Sequence, residues 1–274
     1  MLPGIDVSKW QGEMDWHKAR SAGARFAFIR AGSIDNGTGI CYTDYQLERN
    51  ARIAPEYMPV GFYWYYRPQF DAIKQANYFC SLIRDTRRSL PPVLDLETTG
   101  NLSPTQITNA ATDFILQVYS RLNVWSLLYS RALWLNLHTI PCNVWQQIEL
   151  WIARYINLPG PWSDGYCIPR DFKNWRFWQH SADNNGRGAE FGAKSKSIDL
   201  DYFNGTQEEL NAYCGKPNTK LIRITSTLAA SIRSSQEGAA IGATWRGAEW
   251  PVNAVSGDYY RVEGWIQKDK TEEI

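Results

Sequence analysis

Two carboxylates, Asp95 and Glu97, stand two residues apart at the end of the apolar run PPVLDLE. Asp199 and Asp201 repeat that spacing in SIDLDYF, and Asp6 closes the first apolar run, LPGID. On a strand, residues i and i+2 point to the same side, about 6.6 Å apart along the chain. Each pair therefore presents two acids to one face. Neighbouring negative charges raise one another's pKa, which keeps one carboxyl protonated near neutral pH as a general acid. Two carboxyl groups with divided roles are what cleavage of a glycosidic bond requires. The structural alternative is that some of these acids pair with Arg30, Arg67 or Arg154.

Aromatic residues share the same runs. GFYWYYRP puts Tyr63 and Tyr65 on one face of a strand and Trp64 and Tyr66 on the other. Tyr129, Trp151, Tyr155, Trp178 and Gln179 fall at the ends of further runs. The chain holds 13 Trp and 15 Tyr beside only 3 Met; an aromatic-rich core accounts for about two-thirds of these rings, and flat rings also stack on sugar faces. Rings and hydrogen-bond donors beside carboxylates suit a groove for sugars.

These residues need elements to position them. Apolar runs at 2–7, 25–31, 59–65, 92–96, 125–130, 150–155, 176–180 and 197–202 predict eight strands, continuous enough in apolarity to be parallel and buried on both faces. Amphipathic segments at 43–54, 71–82 and 103–122 lie between them, the last opened by the Ser103-Pro104 N-cap and N1 pair. Strand and helix repeated to eight strands predict an α/β fold, a TIM-like (β/α) barrel. Gly-, Pro- and Asn-rich loops at 160–174 and 184–196 make it irregular. Catalytic groups of such barrels gather at the C-terminal ends of the strands, which brings Asp6, Asp95, Glu97 and Asp199 to one rim.

CGKPNTK, at 214–220, reads as a linker. Beyond it, short runs at 222–226, 239–243, 250–255, 259–262 and 264–267 predict a small all-β barrel. The expected division is a catalytic domain over 1–214, a linker over 215–220 and a second domain over 221–274.

Composition removes other classes. In 274 residues, 29 Lys+Arg face 28 Asp+Glu, a net charge of +1 without the basic excess of a nucleic-acid binder. A hydrophobic share of 44% excludes global disorder. Cys41, Cys80, Cys142, Cys167 and Cys214 include no CxxC and read as reduced, mostly buried thiols; a cysteine hydrolase has no local support. His17, His138 and His180 lack ligand spacing, so neither metal nor cofactor is expected. No run reaches the roughly 18 apolar residues that would span a bilayer, and MLPGID lacks the regions of a secretory signal.

In order and spacing, GIDVSKWQG, FAFIRAG, GFYWYY, PVLDLE, LWIARY, FWQHS and IDLDYF resemble the motifs of glycoside hydrolase family 25, the Chalaropsis-type lysozymes. The resemblance implies a flattened barrel that cleaves the β-1,4 bond between N-acetylmuramic acid and N-acetylglucosamine in bacterial peptidoglycan, without a metal. It implies Glu97 as general acid/base, Asp6, Asp95 and Asp199 as the other catalytic acids, and Tyr63 near the sugar's N-acetyl group. Tyr65, Tyr129, Trp151, Gln179 and Asp201 complete the expected substrate-binding set. Some members carry an acidic residue where this chain reads Ala31-Gly32-Ser33. The expected course is retaining, through a covalent adduct on Asp199 or an oxazoline formed by the substrate's acetamide.

LAASIRSS, Ile241-Gly242, WPV, DYYRV and EGWI are similar to a bacterial SH3-like cell-wall-binding domain, although Ser234-Ser235-Gln236-Glu237 replaces the usual Gly-Pro step. A muramidase with a wall-binding module and no export signal looks like a bacteriophage endolysin, held in the host cytoplasm until lysis. Two rivals are a catalytically silent sugar-binding barrel, which would lack the acids, and a chitinase-like enzyme, which would carry Asp where Val93 stands. The oligomeric state has no signature in the sequence.

Overall fold

The computed structural model describes residues 1–155, 168–182 and 186–215, and beyond them the backbone of eight strands between Lys220 and Glu273. Cys167, parts of the two irregular loops (160–167, 184–185) and linker residues 216–219 lie outside the described residues. So do the side chains of the strands beyond Gly215. The chain packs as two compact units, Met1–Gln117 with Trp125–Gly215, and Val118–Val124 with Lys216–Ile274.

The first unit is built on nine strands: β1 (Leu2–Val7), β2 (Ala27–Ile34), β3 (Cys41–Thr43), β4 (Val60–Tyr65), β5 (Val93–Asp95), β6 (Leu127–Ser130), β7 (Leu150–Ala153), β8 (Phe177–Ser181) and β9 (Asp199–Phe203). Their order is β1-β9-β8-β7-β6-β5-β4-β2, and pairing of β1 with β2 closes an eight-stranded barrel. Each of the eight predicted strands is present within a few residues of its expected bounds. β3 was not predicted. It pairs antiparallel with Gly32–Ile34 of β2, past the point where β1 stops at Ile29.

The expectation of an all-parallel barrel is corrected at β9, which runs antiparallel to both β1 and β8. Parallel neighbours need a crossover element, usually a helix, whereas an irregular loop can join antiparallel ones. Among the described residues between β8 and β9 there are only turns and bends. The reversal matters for the site: Asp199 begins β9 yet lies opposite Asp6, near the end of β1.

Six helices flank the strands: α1 (Trp16–Ser21), α2 (Leu47–Ile53), α3 (Ala72–Ile83), α4 (Pro104–Leu122), α5 (Ala132–His138) and α6 (Gln207–Gly215). Asp71 caps α3, accepting from the Lys74 amide at 2.8 Å. Ser103 and Gln106 bond reciprocally to each other's backbone N–H ahead of α4, a capping box. The outward face of β4 packs under these helices. Trp64 Nε1 donates to Gln75 Oε1 of α3 at 3.0 Å, and Tyr66 Oη donates to the Ala110 carbonyl of α4 at 2.9 Å. That leaves Tyr63 and Tyr65 facing inward.

Aromatic rings fill the barrel. Phe26, Phe28, Phe177 and Phe203 pack edge-on or tilted at centroid distances of 5.0–6.0 Å, and Trp151 stacks on Phe28 at 4.4 Å. Gly4 admits this layer: a Cβ there would lie 2.3 Å from the Phe26 ring. Burying each such side chain is worth about 1.5–3 kcal/mol, and the layer forms a rigid floor under the acids.

In the second unit, β10 (Lys220–Ile224), β11 (Ala229–Arg233), β12 (Ala240–Trp245), β13 (Glu249–Val252), β14 (Ala254–Ser256), β15 (Tyr259–Arg261), β16 (Trp265–Gln267) and β17 (Thr271–Glu273) form two antiparallel sheets, β13-β10-β17 and β12-β11-β16-β15-β14. The sequence runs anticipate most of these strands. They miss β11 and β17, and they merge β13 with β14.

Candidate active site

At the rim of the barrel lies a cleft of about 150 Å³ whose lining includes Asp6, Arg30, Tyr63, Tyr65, Asp95, Glu97, Tyr129, Trp151, Gln179 and Asp199. Every acid expected to be catalytic is here, and so are five of the six residues expected to bind substrate.

Glu97 lies two residues past the end of β5, and backbone bonds hold the segment that carries it. The Tyr66 amide donates to the Asp95 carbonyl at 2.9 Å, the Leu96 amide to the Tyr129 carbonyl at 3.0 Å, and Ser130 Oγ to the Leu96 carbonyl at 2.6 Å. Asp95 is buried while Glu97 is half-buried, and their carboxyls lie close enough for each to shift the other's pKa. Two carboxylates can share a hydrogen bond only if one carries a proton. Asp95 Oδ1 is buried without a hydrogen-bond partner, a place for a proton held between the two carboxyls.

Burial is the main cause that raises both carboxyls above their ordinary range. The charge of Glu97 raises Asp95 further and Arg30 lowers it. On Glu97, the Arg131 guanidinium, the bond from Asp95 and Arg30 all act downward. Glu97 is thus raised by loss of solvent rather than by the like-charged neighbours expected to lift it, and the contact with Asp95 acts downward on it.

Asp6 has a different environment. Gln179 Nε2 donates to Asp6 Oδ2 at 2.6 Å, and the Tyr129 and Tyr155 hydroxyls each donate to Gln179 Oε1 at 2.7 Å. Burial, then the charges of Asp199 and Asp201, raises the Asp6 carboxyl well above the usual carboxylate range. Asp201 lies opposite Gly4, two pairs below the Asp6–Asp199 pair, and is fully buried. It accepts from Trp151 Nε1 at 2.8 Å, its Oδ2 has no hydrogen-bond partner, and burial raises its carboxyl well above the ordinary range. The assignment of Asp201 to substrate binding is corrected: no solvent reaches it, and what it touches is Asp6 and Trp151. Trp151, 1% exposed, serves as floor rather than as an open stacking platform.

Burial also keeps the Tyr63 and Tyr129 phenols protonated, as donors, with the nearby acids adding to it. Ion pairing with Arg30, Arg67 or Arg154 is not found for Asp6, Asp95, Glu97 or Asp201 among the described residues; the pairs present are Lys18–Asp15, Arg170–Asp171, Arg176–Glu149 and Arg187–Glu190. Among the described residues no group of three His, Cys, Asp or Glu side chains is placed to hold a metal ion. Of the four described cysteines, Cys80 is buried and Cys41, Cys142 and Cys214 are half-buried, so the thiols are less enclosed than expected.

Three residues at the cleft were not singled out from the sequence: Ser8, Trp10 and Gln11. Ser8 and Gln11 form a capping box around the turn Lys9–Gln11. That turn brings Trp10, 69% exposed, to the mouth of the cleft. The Ser-x-x-Gln spacing after the first acid was the available signal.

The sequence model of the glycosyl hydrolases family 25 matches residues 5–189. Lysozyme M1 of Streptomyces globisporus is 33% identical over 225 residues, covering 77% of this chain and 70% of that protein. Uncharacterized protein YegX of Escherichia coli O157:H7 is 33% identical over 218 residues, covering 77% and 73%. Among solved structures, the bacterial lysozyme from Streptomyces coelicolor aligns with a TM-score of 0.65 at 30% identity, over 78% of this chain and 96% of that one. The muramidase from Acremonium alcalophilum aligns at 0.64 and 25% identity, over 79% and 100%.

Proposed function

The chain belongs to glycosyl hydrolase family 25, and from that premise we propose that it is an N-acetylmuramidase, cleaving the β-1,4 bond between N-acetylmuramic acid and N-acetylglucosamine in bacterial peptidoglycan. The observation that carries this reading is the adjacent pair of carboxyls, Asp95 and Glu97, both raised by burial, in a cleft floored by aromatic rings. Glu97, the more accessible partner, gives its proton to the departing glycosidic oxygen and then takes one from water. Asp95, ionised when the proton of the pair rests on Glu97, accepts from the acetamide N–H of the sugar whose C1 reacts, beside the Tyr63 hydroxyl; it takes that proton as the oxazoline closes and returns it as the ring opens. The acetamide oxygen bonds to C1 as the bond to the leaving oxygen breaks, and water opens the resulting oxazoline with retention. Asp6 and Asp199 stabilise the positive charge that develops on the ring.

Mass spectrometry of fragments released from purified peptidoglycan tests the reading. Products ending in reducing N-acetylmuramic acid are expected, and products ending in reducing N-acetylglucosamine would overturn it. Trapping with a thiazoline analogue of the sugar separates the oxazoline route from attack by Asp199.

We also infer that the second unit is an SH3-like wall-binding module and that the whole chain acts as a phage endolysin, made in the host cytoplasm and released onto the wall at lysis. Motif similarity over residues 221–274 and antiparallel pairing of its strands support this. A tethered module raises the local substrate concentration. The full chain should therefore outpace a chain of residues 1–215 on intact walls at low enzyme concentration, and equal rates would remove the targeting role.

A further inference from the structure

A row of alternating cations and rings runs past the cleft and contributes Trp10, Arg30 and Tyr65 to its lining. Lys9 Nζ lies 5.9 Å from the centroid of Tyr42 and 4.8 Å from that of Trp10. Arg30 Nη2 donates to Tyr42 Oη at 3.1 Å, and the Arg30 guanidinium lies 5.1 Å from the Tyr65 ring centroid. The Arg67 guanidinium lies 5.3 Å from that same ring. The row thus runs Lys9, Tyr42, Arg30, Tyr65, Arg67, all half-buried, along the side built by the end of β1 and by β2, β3 and β4.

These cations act on acids only at a distance, Arg30 on Asp95 and Glu97 and Arg67 on Asp35. Among the described residues none of the three has a carboxylate within ion-pair distance, and Arg30 Nε is buried without any hydrogen-bond partner. Asp35 and Asp44, on the same side, are held by other donors. Asp35 accepts from the Gly37 and Thr38 amides and the Thr38 hydroxyl, and Asp44 from the Lys9 and Gln46 amides. Rings can hold cations in place by the cation–π interaction, but they do not neutralise them. Three positioned positive charges beside a catalytic cleft predict a negatively charged ligand.

A glycan of N-acetylated sugars is neutral along its backbone. Its anions hang from O3 of the muramic acid, either as the lactyl carboxylate or as carboxylates of the stem peptide attached there. We propose that this row seats the carboxylate-bearing O3 arm of the muramic acid ring, and that it makes the enzyme selective for glycans that carry the charge. The proposal rests on the muramidase reading above. In that reading Tyr63 faces the acetamide on C2. Tyr65 follows on the same face of β4, about 6.6 Å along the strand, and beside it stands Arg30. The substituent on C3, next to C2, falls toward that row.

The test uses the full-length protein and four substrates. Peptide-bearing glycan chains and chains stripped of peptide by an amidase are each compared with their own methylamide, which keeps size and removes charge. A preference in kcat/KM of roughly tenfold for the charged form is expected, as for a charge-assisted hydrogen bond. It should shrink at about 0.3 M salt. A preference on stripped chains identifies the lactyl carboxylate as the ligand, and a preference confined to peptide-bearing chains identifies the stem.

Arg30→Gln should bring the ratio toward one. Lys9→Gln and Arg67→Gln, at the two ends of the row, should each reduce it in part and serve if Arg30→Gln fails to fold. Because each variant is judged by the ratio between two substrates, any general change in its rate cancels. Equal kcat/KM for charged and methylamidated chains of both kinds in the wild-type protein overturns the proposal while leaving the muramidase reading intact. If no chain is cleaved, the muramidase reading falls; equal binding of charged and methylamidated chains by the Glu97→Gln protein then overturns this one too.

Discussion

Gln179 of β8 hands its amide nitrogen to the Asp6 carboxylate of β1 at 2.6 Å, across 173 residues of sequence. The Tyr129 and Tyr155 hydroxyls both donate to the Gln179 carbonyl oxygen, so the amide can face Asp6 only through its nitrogen. Gln179→Leu would leave a buried carboxyl and the Tyr129 hydroxyl without a partner. Stranding each buried group costs about 1–3 kcal/mol, so the melting temperature should fall by several degrees. Adding Tyr129→Phe to Gln179→Leu should cost less than the two single changes summed, because they break one network. Additive losses would mean the three side chains do not act together.

Glu97→Gln keeps the shape of the side chain and removes its proton. General acid–base catalysis contributes about 10²–10⁴-fold, and wall lysis should fall by at least that much while the melting temperature holds. Retention of a tenth of the wild-type rate would place the general acid elsewhere.

Asp95→Asn tests the shared proton. The pair loses its last proton at raised pH, because burial and the charge of the partner both oppose full ionisation. With Asn in place of Asp95 there is no second carboxyl to retain the pair's last proton, and the Asn amide can still donate to Glu97, so the alkaline limb of the pH–rate profile should move to lower pH. An unmoved limb would show that the two carboxyls titrate independently.

Asp201 makes a prediction about stability. Its folded pKa is raised, so between its unfolded value and its folded value the native state binds the proton that the unfolded state releases. Its stabilising contribution is full below the unfolded value, near 3.8, and is lost as pH rises through the folded value. Asp201→Asn can still accept from Trp151 Nε1 and carries no charge to bury. Relative to wild type it should gain melting temperature as pH is raised from about 4 to 8. Parallel melting-temperature curves for the two proteins would exclude this linkage.

The cysteines should be bystanders. Burial raises the Cys41 thiol, and pushes the Cys214 thiol up to about 11, so neither supplies much thiolate at neutral pH. Lysis should survive iodoacetamide at pH 7. Rapid inactivation without unfolding would bring back the cysteine-hydrolase reading.

Much of this protein is legible in its sequence. Asp6, Asp95 and Asp199 stand at strand boundaries and Glu97 just past one, in short apolar runs that stop abruptly. A strand buried on both faces shows as such a run, and a polar residue can follow only where the run meets the rim. The alternation in GFYWYYRP likewise sends Tyr63 and Tyr65 inward and Trp64 and Tyr66 outward, because the strand period is two residues.

Strand direction was decided by the tertiary structure. Residues 199–203 read the same whether β9 runs up or down, and only closure of the barrel between β1 and β8 sets its sense. Depth was decided there too. Asp199 and Asp201 have the same spacing as Asp95 and Glu97, yet Asp201 ends fully buried and Glu97 at the mouth of the cleft. The pairing of Gln179 with Asp6, and the row from Lys9 to Arg67, join residues far apart in the chain. No local pattern encodes such contacts, because they follow from the register of strands that meet only once the barrel has closed.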